Sequence, residues 1–420
     1  MKKEIVLLAL AGVFAAGTAY GSAFRIPEQS INSTALSGAY IANANGPDAS
    51  YFNPANMSWA EDRWQLEADL TYINLSHINY EDNRTSFLDG SSGTENFFLP
   101  QLHVVSKDYN NFRFGFSLTY PFGLTKKWND LFTSASAKNF TLEVIEANPT
   151  ISYKVSDIFS IAAGVRIIKS EGKVKSLAIA TPGLIDLGGL TSLGRDMNGE
   201  AEEIGYNFAM TLKPMKKWTI ATTYRSRVDL NMDGDATLSA MHPLAGLIQY
   251  DDDAELRVVT PAVFSLGTSY TYENTTVELE WDRTFWSKYY HLNFEYKQSF
   301  APGTPFFNFD TPLIRDWDNA DAYRIGITHK CTDKLTTMIG FAIDKTPVPT
   351  KTLGFELPDS DAKIYSIGFR YQKTDQLEIG AAYLYDDKES RKVTNNDNGI
   401  DGEFEDAAAH LLTLGFTYKY

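Results

Sequence analysis

The stretch LLTLGFTYKY, residues 411–420, alternates apolar and polar side chains with a period of two. Because successive side chains of a strand point to opposite faces of a sheet, this pattern predicts a β-strand with one apolar face. That face holds Leu412, Leu414, Phe416, Tyr418 and Tyr420, so the strand is expected to end on an aromatic side chain. Such a strand is typical of a barrel in the outer membrane of a Gram-negative bacterium.

The same alternation recurs from Trp64 onward, in about fourteen segments if Thr275 to Tyr296 forms one long bent strand. The opposite face of these segments is polar, as at Glu278, Glu280 and Asp282. A charge that faces lipid at the bilayer midplane costs about 2–4 kcal/mol, so the polar face is expected to line a lumen. The predicted fold is all-β, a transmembrane antiparallel β-barrel of about 14 strands. Periodicity alone also fits a soluble sandwich whose apolar face points inward.

The beginning of the chain is expected to be an export signal. Lys2 and Lys3 precede a charge-free run at residues 5–17, and Ala19 and Gly21 suit signal peptidase, which predicts a signal peptide at residues 1–21. Residues 22–61 are small and rich in asparagine, without sustained alternation. They are too polar to face lipid, so we expect a compact amino-terminal segment at 22–61 and the barrel at 62–420.

Composition and motifs exclude several other functions. The chain has 420 residues and a net charge of −15, which argues against binding to nucleic acid. Cys331 is the only cysteine, so no intramolecular disulfide can form. The 6 histidines are scattered without metal-ligand spacing, and there is no nucleophile elbow or Walker loop. We therefore predict no enzymatic activity, no cofactor and no metal site.

Polar stretches between the predicted strands divide into short and long connections. The short ones, at residues 108–111, 156–157 and 273–274, are interpreted as periplasmic turns. The long ones, at residues 176–200, 234–256 and 386–406, are interpreted as extracellular loops. Two clusters of acidic or amide side chains, at 251–253 and 395–406, either bind calcium or the cation layer of lipopolysaccharide, or are simply solvated.

Two of the outer connections also carry apolar side chains at helical spacing. Trp128, Leu131 and Phe132 have i, i+3, i+4 spacing, which suits a short amphipathic helix. Leu184, Leu187 and Leu190 show a similar pattern, weakened by nearby glycines. Apolar groups on outer loops either pack against each other or form an entry patch for an oily ligand. We take Trp128, Leu131, Phe132, Leu184 and Leu187 as a candidate capture patch.

Several short motifs, in order along the mature chain, resemble the FadL/TodX-type outer-membrane transporters of long-chain fatty acids and other hydrophobic compounds. They are FRIPEQ at 24–29, GAY at 38–40, NPA at 53–55, YPFGL at 120–124, TYRS at 223–226, WS at 286–287, DAYRI at 321–325, DKTPVP at 344–349 and LPDSD at 357–361. The resemblance implies a fourteen-stranded barrel plugged by an amino-terminal hatch, here residues 22–61. It also implies that ligand is caught at the outer loops, moves inside the barrel and leaves sideways.

In the family, the lateral exit lies beside a kink in the third strand. The corresponding strand here contains Pro121 and Gly123, and both residue types weaken a β-ladder. The alternative is that Pro121 simply ends the strand at the loop. From the resemblance we expect the hatch residues Asn53, Pro54 and Ala55 to contact this kink.

The resemblance also assigns a head-group site for a fatty carboxylate. Arg315, a few positions before the Asp-Ala-Tyr-Arg strand, stands where the family has a basic residue. A second family arginine falls near Lys175, so Lys173 or Lys175 would have to replace it, and Tyr120 would contribute from the third strand. The alternative for Arg315 is an ion pair with Asp316 or Asp318.

Two classes of function remain open. The first is a specific uptake channel for long-chain fatty acids or other hydrophobic small molecules, surrounded as a monomer by outer-membrane lipid and lipopolysaccharide. The second is a general diffusion porin or a structural or adhesive surface barrel. An open porin would lack a hatch, so the segment at 22–61 is the feature that discriminates between them.

Overall fold

The computed structural model describes residues 23–420, so the predicted signal peptide at 1–21 lies outside the described residues. The fold is a closed antiparallel barrel of 14 strands with the amino-terminal segment inside it, as predicted. The strands are β1 Gln65–Leu75, β2 Glu95–Val105, β3 Phe112–Lys126, β4 Asn139–Ser156, β5 Phe159–Ile179, β6 Ser192–Met215, β7 Trp218–Arg225 and Val228–His242, β8 Gly246–Thr260 and Val263–Tyr272, β9 Thr275–Thr284 and His291–Tyr296, β10 Leu313–Ile314 and Ala320–Lys330, β11 Leu335–Asp344, β12 Ala362–Gln372, β13 Leu377–Lys388 and β14 Ala408–Lys419. The ring closes where β1 pairs with β14, from Gln65↔Lys419 to Leu75↔Ala409.

The apolar face of the strands points outward, and the polar face points into the lumen. Ile204 is 73% exposed and Phe208 is 53% exposed, whereas Glu67, Thr71 and Asp282 are buried. This is the reverse of a soluble sandwich and the arrangement that a lipid environment requires. Within residues 23–420, no helix is long and apolar enough to span a bilayer.

Four neighbouring strands are each interrupted once. β7 breaks at Ser226–Arg227 and β8 at Pro261–Ala262, where proline has no N–H to donate to the ladder. β9 continues as one long bent strand after a 3₁₀ turn at Trp286–Lys288, as predicted for Thr275 to Tyr296. β10 breaks between Ile314 and Ala320.

Two of the predicted extracellular loops are largely strand, which corrects the interpretation of residues 176–200 and 234–256. β5 and β6 stay paired out to Ile179↔Ser192, and β7 and β8 stay paired out to His242↔Gly246. These ends resemble loops in sequence because their outward side chains are polar above the apolar band. The predicted turns at 108–111, 156–157 and 273–274 do connect consecutive strands.

The hatch, taken here as residues 23–61, fills the lumen with short turns rather than strands. It contains α1 Ile31–Ala35, α2 Ala49–Phe52 and a 3₁₀ turn at Pro54–Trp59. The barrel wall binds its backbone directly, because Glu280 accepts hydrogen bonds from the Tyr40 N–H at 2.8 Å and the Ile41 N–H at 3.1 Å. Buried carboxylates of the wall therefore replace the hydrogen bonds that an isolated loop would make with water.

Two arginines of the barrel wall hold the other side of the hatch. Arg324 donates to the Ser37 carbonyl at 2.8 Å and pairs with Asp282 and Asp344. Arg370 donates to the Asn32 side chain at 2.6 Å and also pairs with Glu67. The polar face that periodicity predicts for the lumen is thus largely the surface that binds the hatch.

A small sheet and an aromatic cluster cover the outer end of the barrel. The sheet consists of the short strands Asn79–Asp82, Gly90–Ser91, Arg391–Val393 and Gly402–Glu405. Two residues of this sheet, Tyr80 and Phe404, pack with further aromatic rings to form the cap cluster, which consists of Tyr80, Trp128, Phe132, Phe355 and Phe404.

Candidate functional site

A cavity of about 450 Å³ lies between the beginning of the hatch and the inner wall of the barrel. Hatch residues Ala23–Glu28 form one side of it. Its apolar walls come from Ile73, Leu75, Phe97, Leu99, Phe122, Leu124, Leu142, Val144, Leu357, Ile364, Leu384 and Leu411. Small-molecule sites in proteins usually measure about 300–1,000 Å³ and are mainly apolar, so this cavity has a suitable size and lining.

The cavity reaches the outer surface of the barrel between β2 and β3. The ladder between these strands extends only from Leu102↔Leu118 to Val105↔Gly115, so their outer halves are not joined. Phe98 lines the cavity although its side chain is 65% exposed on the outward face. Ile145 of β4 likewise belongs to both surfaces. The ladder of the wall therefore has a gap beside the cavity, which we call the opening.

A kink in β3 forms one edge of this opening. The register between β3 and β4 shifts between Thr119 and Phe122, which leaves Tyr120 and Pro121 without partners in that ladder. β3 nevertheless continues to Lys126. Pro121 lies inside the strand and does not end it, so the alternative interpretation of Pro121 is wrong.

The first residues of the hatch take the place of β2 at the kink. The Ile26 N–H donates to the Pro121 carbonyl at 2.9 Å, and the Gly123 N–H donates to the Phe24 carbonyl at 3.0 Å. The Gln29 side chain binds both the N–H and the carbonyl of Tyr120. These contacts satisfy backbone groups that the missing β2–β3 ladder would leave unpaired.

The expected contact between Asn53, Pro54 and Ala55 and the kink needs correction. Asn53 donates to the Thr211 hydroxyl of β6 at 2.8 Å, and Ala55 accepts from the Ser160 hydroxyl of β5 at 2.8 Å. Asn53 also caps the turn that begins at Pro54, so the motif forms a compact corner. This corner fits against small alanines of β5 and β6, whereas an extended segment, residues 24–29, lies along the kink.

The predicted head-group cations are not brought together. Arg315 is buried and pairs with Glu356 at 2.8 Å, and not with Asp316 or Asp318 as the alternative proposed. Lys173 and Lys175 point outward, and Lys175 pairs with Asp196 at 2.6 Å on the outer surface. Their odd positions on β5 share the lipid-side face with Ile167, so neither can reach the lumen.

Another inward cation lies near Arg315, namely Arg195, which sequence analysis missed. It lies opposite Ser176 in the β5–β6 ladder, and its guanidinium stands 3.7 Å from the centroid of the Phe294 ring. No ion pair involves Arg195 among the described residues, although its neighbourhood includes Arg315, Glu356 and Tyr296. Its inward position follows from the alternation along β6, which the interpretation of residues 176–200 as a loop conceals.

Tyr120 lines the cavity beside the opening and is half-buried. Gly123 is held close to the hatch, because a Cβ there would stand 3.2 Å from the Ile26 side chain. Tyr120 and Gly123 therefore lie at the inner edge of the opening. The Tyr120 side chain lines it, and Gly123 has no side chain, which leaves space for Ile26 of the hatch.

The candidate capture patch does not exist as a single exposed surface. Trp128 is fully buried in the cap cluster, where its indole N–H donates to the Phe355 carbonyl at 2.8 Å, and Phe132 packs on Phe355. The short helix in this loop is Ser134–Ala137, just after the predicted positions, and Leu131 is only half-buried. These residues pack the loops together.

The other half of the expected patch belongs to a different cluster. Leu187 packs with Leu190, Leu238, Phe300 and Phe306, whereas Leu184 is 44% exposed. The stretch from 181 to 190 forms turns and no helix, and Gly183, Gly188 and Gly189 adopt positive φ angles there. No group of three or more acidic, histidine or cysteine side chains in residues 23–420 is arranged to hold a metal ion.

A plugged barrel with an apolar outer band, an internal apolar cavity and an opening in its wall defines a class: outer-membrane transport proteins for hydrophobic molecules. Residues 12–420 match the family model described as outer membrane protein transport protein (OMPP1/FadL/TodX), and the chain belongs to this family. It is therefore an outer-membrane protein of Gram-negative type, from a family of transport proteins and not of enzymes.

Relatives and solved structures agree with that assignment. The chain is 24% identical to the long-chain fatty acid transport protein of Salmonella typhi, over 98% of each chain. A Pseudomonas aeruginosa FadL homologue superposes with a TM-score of 0.80 at 20% identity, covering 94% of this chain and 99% of that one. The Ralstonia pickettii toluene transporter TbuX has a TM-score of 0.71 at 18% identity, covering 93% and 98%.

Proposed function

We propose that this protein takes up hydrophobic molecules, long-chain fatty acids among them, and releases them sideways into the outer membrane between β2 and β3. The observation that carries the proposal is the cavity that begins at hatch residues 23–28 and reaches the outward face at Phe98. The names of the relatives, which include a fatty acid transport protein and a toluene transporter, support this class of cargo.

The lateral route follows from the physical chemistry of the cargo. Each CH₂ group gains about 0.8 kcal/mol when it leaves water for an apolar environment. A path straight through the barrel would carry the chain past the polar, hydrogen-bonded hatch, where Glu280 and Arg324 are buried. A path from the apolar cavity past Phe98 into lipid keeps the chain away from water throughout.

The hatch disfavours a general diffusion porin. Residues 22–61 are proposed to stay inside the barrel of residues 62–420 as a plug, held by buried contacts such as those of Glu280 and Arg370. A planar bilayer measurement separates the two functions, because a porin gives large steady conductance and a plugged barrel does not. Large steady pores from the intact protein would exclude the proposed plug.

A carboxylate head group is proposed to bind at Arg195, whose neighbourhood also includes Arg315. Arg195 is buried against Phe294 without an ion pair among the described residues, and Arg315 shares its site with Glu356. A buried guanidinium gains strongly from an anionic partner, so a fatty carboxylate suits Arg195 in particular. We propose that the protein acts as a monomer, since the cavity and its opening lie within one chain. Its charged outer hairpins suit contact with lipopolysaccharide.

Deletion of Pro121 tests the lateral exit. Between Thr119 and Phe122, β3 has one residue more than β4 has between Glu146 and Val144. The deletion therefore restores the register while Phe122 remains on the inward face. We expect a folded, heat-resistant barrel that no longer delivers labelled oleate or toluene to the bilayer of proteoliposomes. Deletion of Gly303, in an exposed loop, is the control, and normal delivery without Pro121 would refute the exit.

A further inference from the structure

The cavity has one end whose charge does not suit a fatty acid. Four carboxylates line this end, which we call the acidic pole: Glu28 of the hatch, Asp344 at the end of β11, Asp359 in the following loop and Asp386 of β13. The residues come from four separate elements, so the pole is a product of the fold and not of a local acidic run.

The cations near the pole are already paired with carboxylates, either of the pole itself or beside it. Lys388 pairs with Asp359 at 2.8 Å, and Lys345 pairs with Asp361 at 3.1 Å. Arg324 pairs with both Asp282 and Asp344 at 3.3 Å. These pairs leave the pole with more negative than positive charge.

Glu28 and Asp386 are the carboxylates without an ion pair among the described residues. Glu28 is only 6% exposed and lines the cavity, and its carboxylate is hydrogen-bonded by its own backbone. Oδ1 of Asp386 is buried without a hydrogen-bond partner within residues 23–420, as is Oδ2 of Asp359. Unpaired buried carboxylates are costly, and they are stabilised by a cation that enters the same space.

The electrostatic setting of Glu28 agrees with its geometry. Burial raises the pKa of Glu28 to about 7, against the attraction of Arg324 and with the help of Asp386 and Asp344. A neighbouring ammonium would favour the ionised carboxylate, whereas a second carboxylate from a fatty acid would meet like charge.

We propose that the cavity binds hydrophobic molecules with a protonated amine head group, the ammonium between Glu28 and Asp386 and the apolar chain along the walls toward Phe98. This inference rests on the proposed function for the route and adds a class of cargo to it. The ammonium offers hydrogen-bond donors to both carboxylates, including the unpartnered Oδ1 of Asp386, and the walls accept the chain as they would any alkyl chain. The acidic pole would thus bind a positively charged head group, whereas Arg195 would bind a negatively charged one.

A competition experiment tests the proposal with three ligands that differ only in their head groups. The full-length mature protein in nonionic detergent is equilibrated with dodecylammonium, dodecanol and dodecanoate in equal amounts, and the bound ligands are quantified by mass spectrometry. We expect about tenfold more amine than carboxylate after correction for uptake by empty micelles, as for one charge-assisted contact. Equal binding, or a preference for dodecanoate, would overturn the proposal.

Two variants locate the effect at the pole. Glu28→Gln and Asp386→Asn are each expected to reduce the amine's advantage by about tenfold and to leave dodecanol binding unchanged. Asp375→Asn removes the same charge at an exposed turn and should keep the advantage. If both variants still prefer dodecylammonium over dodecanoate as strongly as the unmodified protein does, the ammonium does not bind at the acidic pole. If dodecanol binds without any amine preference, only this inference fails, whereas no binding of any ligand would also contradict the proposed function.

Discussion

The side-chain amide of Gln29 binds the backbone of Tyr120 in both directions, accepting from the N–H at 2.8 Å and donating to the carbonyl at 2.9 Å. A neighbouring strand makes the same pair of bonds in an antiparallel ladder. One hatch side chain therefore substitutes for β2 at the point where β2 and β3 separate.

Gln29→Leu is expected to release the kink. The substitution leaves the Tyr120 N–H and carbonyl without these partners, at a cost of about 1–3 kcal/mol for each buried group. Hydrogen exchange at the Tyr120 amide should become faster, and the barrel should unfold at lower temperature. Gln249→Leu, on the outer part of β8, is the control and should change neither. Unchanged exchange at Tyr120 in Gln29→Leu would show that the amide pair does not hold the kink.

Substitutions of Arg195 and Arg315 are expected to differ in their effects on ligand binding and on stability. Arg195→Ala should weaken oleate binding by about 1.5–3 kcal/mol and spare a neutral alkane, because only the carboxylate uses the guanidinium. Isothermal titration in detergent measures both affinities. Equal losses for oleate and the alkane would instead assign Arg195 a packing role against Phe294.

Arg315→Ala should act mainly on stability. It leaves the largely buried Glu356 without its partner, and the loss of one partner from a buried ion pair typically costs about 3–5 kcal/mol. The double variant Arg315→Met, Glu356→Leu removes both charges and is expected to recover most of the lost thermal stability. If the single variant weakens oleate binding selectively at full stability, Arg315 is a ligand contact as the family resemblance implied.

Substitution of Trp128 and Phe132 by serine should loosen the outer cap. Replacement of a buried large aromatic side chain costs about 3–5 kcal/mol, and the Phe355 carbonyl also loses the indole donor. Limited proteolysis should therefore cut the outer loops faster, with no selective loss of uptake at low ligand concentration. Phe87→Ser, an exposed position, is the control. A selective uptake defect with intact loops would restore the capture role.

Stability should depend on pH through Glu28. Burial raises the pKa of Glu28 from 4.5 to about 7, so the folded protein holds this proton more tightly than the unfolded chain does. The stabilisation from the neutral form is complete below about pH 4.5 and is lost as the pH rises toward about 7. Glu28→Gln stays neutral at every pH, so at about pH 8 it should raise the melting temperature, with a gain in unfolding free energy of up to about 3 kcal/mol. At about pH 4 the melting temperature should not change. An equal gain at both values would indicate a packing effect.

Strand existence was the part of the fold that sequence could predict, because lipid imposes period two on every spanning segment. The single bent strand β9 was also predicted, and so was the kink at Pro121, where proline weakens the ladder. The outer parts of β5 to β8 were missed because their outward side chains are polar above the apolar band, as Lys175 and Asp196 show. The alternation of apolar and polar side chains ends where the strands extend beyond the membrane, because no lipid contacts their outward side chains there.

The site was harder to predict than the fold. Arg195 was hidden by the loop interpretation, and the partner of Arg315 proved to be Glu356, 41 positions away and not one of its neighbours in sequence. The contact of Asn53–Ala55 was misassigned because a motif does not specify which wall it faces. These contacts depend on how distant segments of the chain meet inside the lumen. A local sequence pattern does not specify which distant segment that is.

The way in which the wall grips the hatch has a consequence for assembly. The residues that bind the hatch, Glu280, Arg324 and Arg370, lie on β9, β10 and β12, late in the chain, while the ring is sealed only by the seam between β1 and β14. A hatch bound on several sides cannot be threaded into a finished ring of this width. The hatch must therefore settle on an open, curved sheet before the edges of that sheet meet, so that the last strand closes the barrel around a plug already in place.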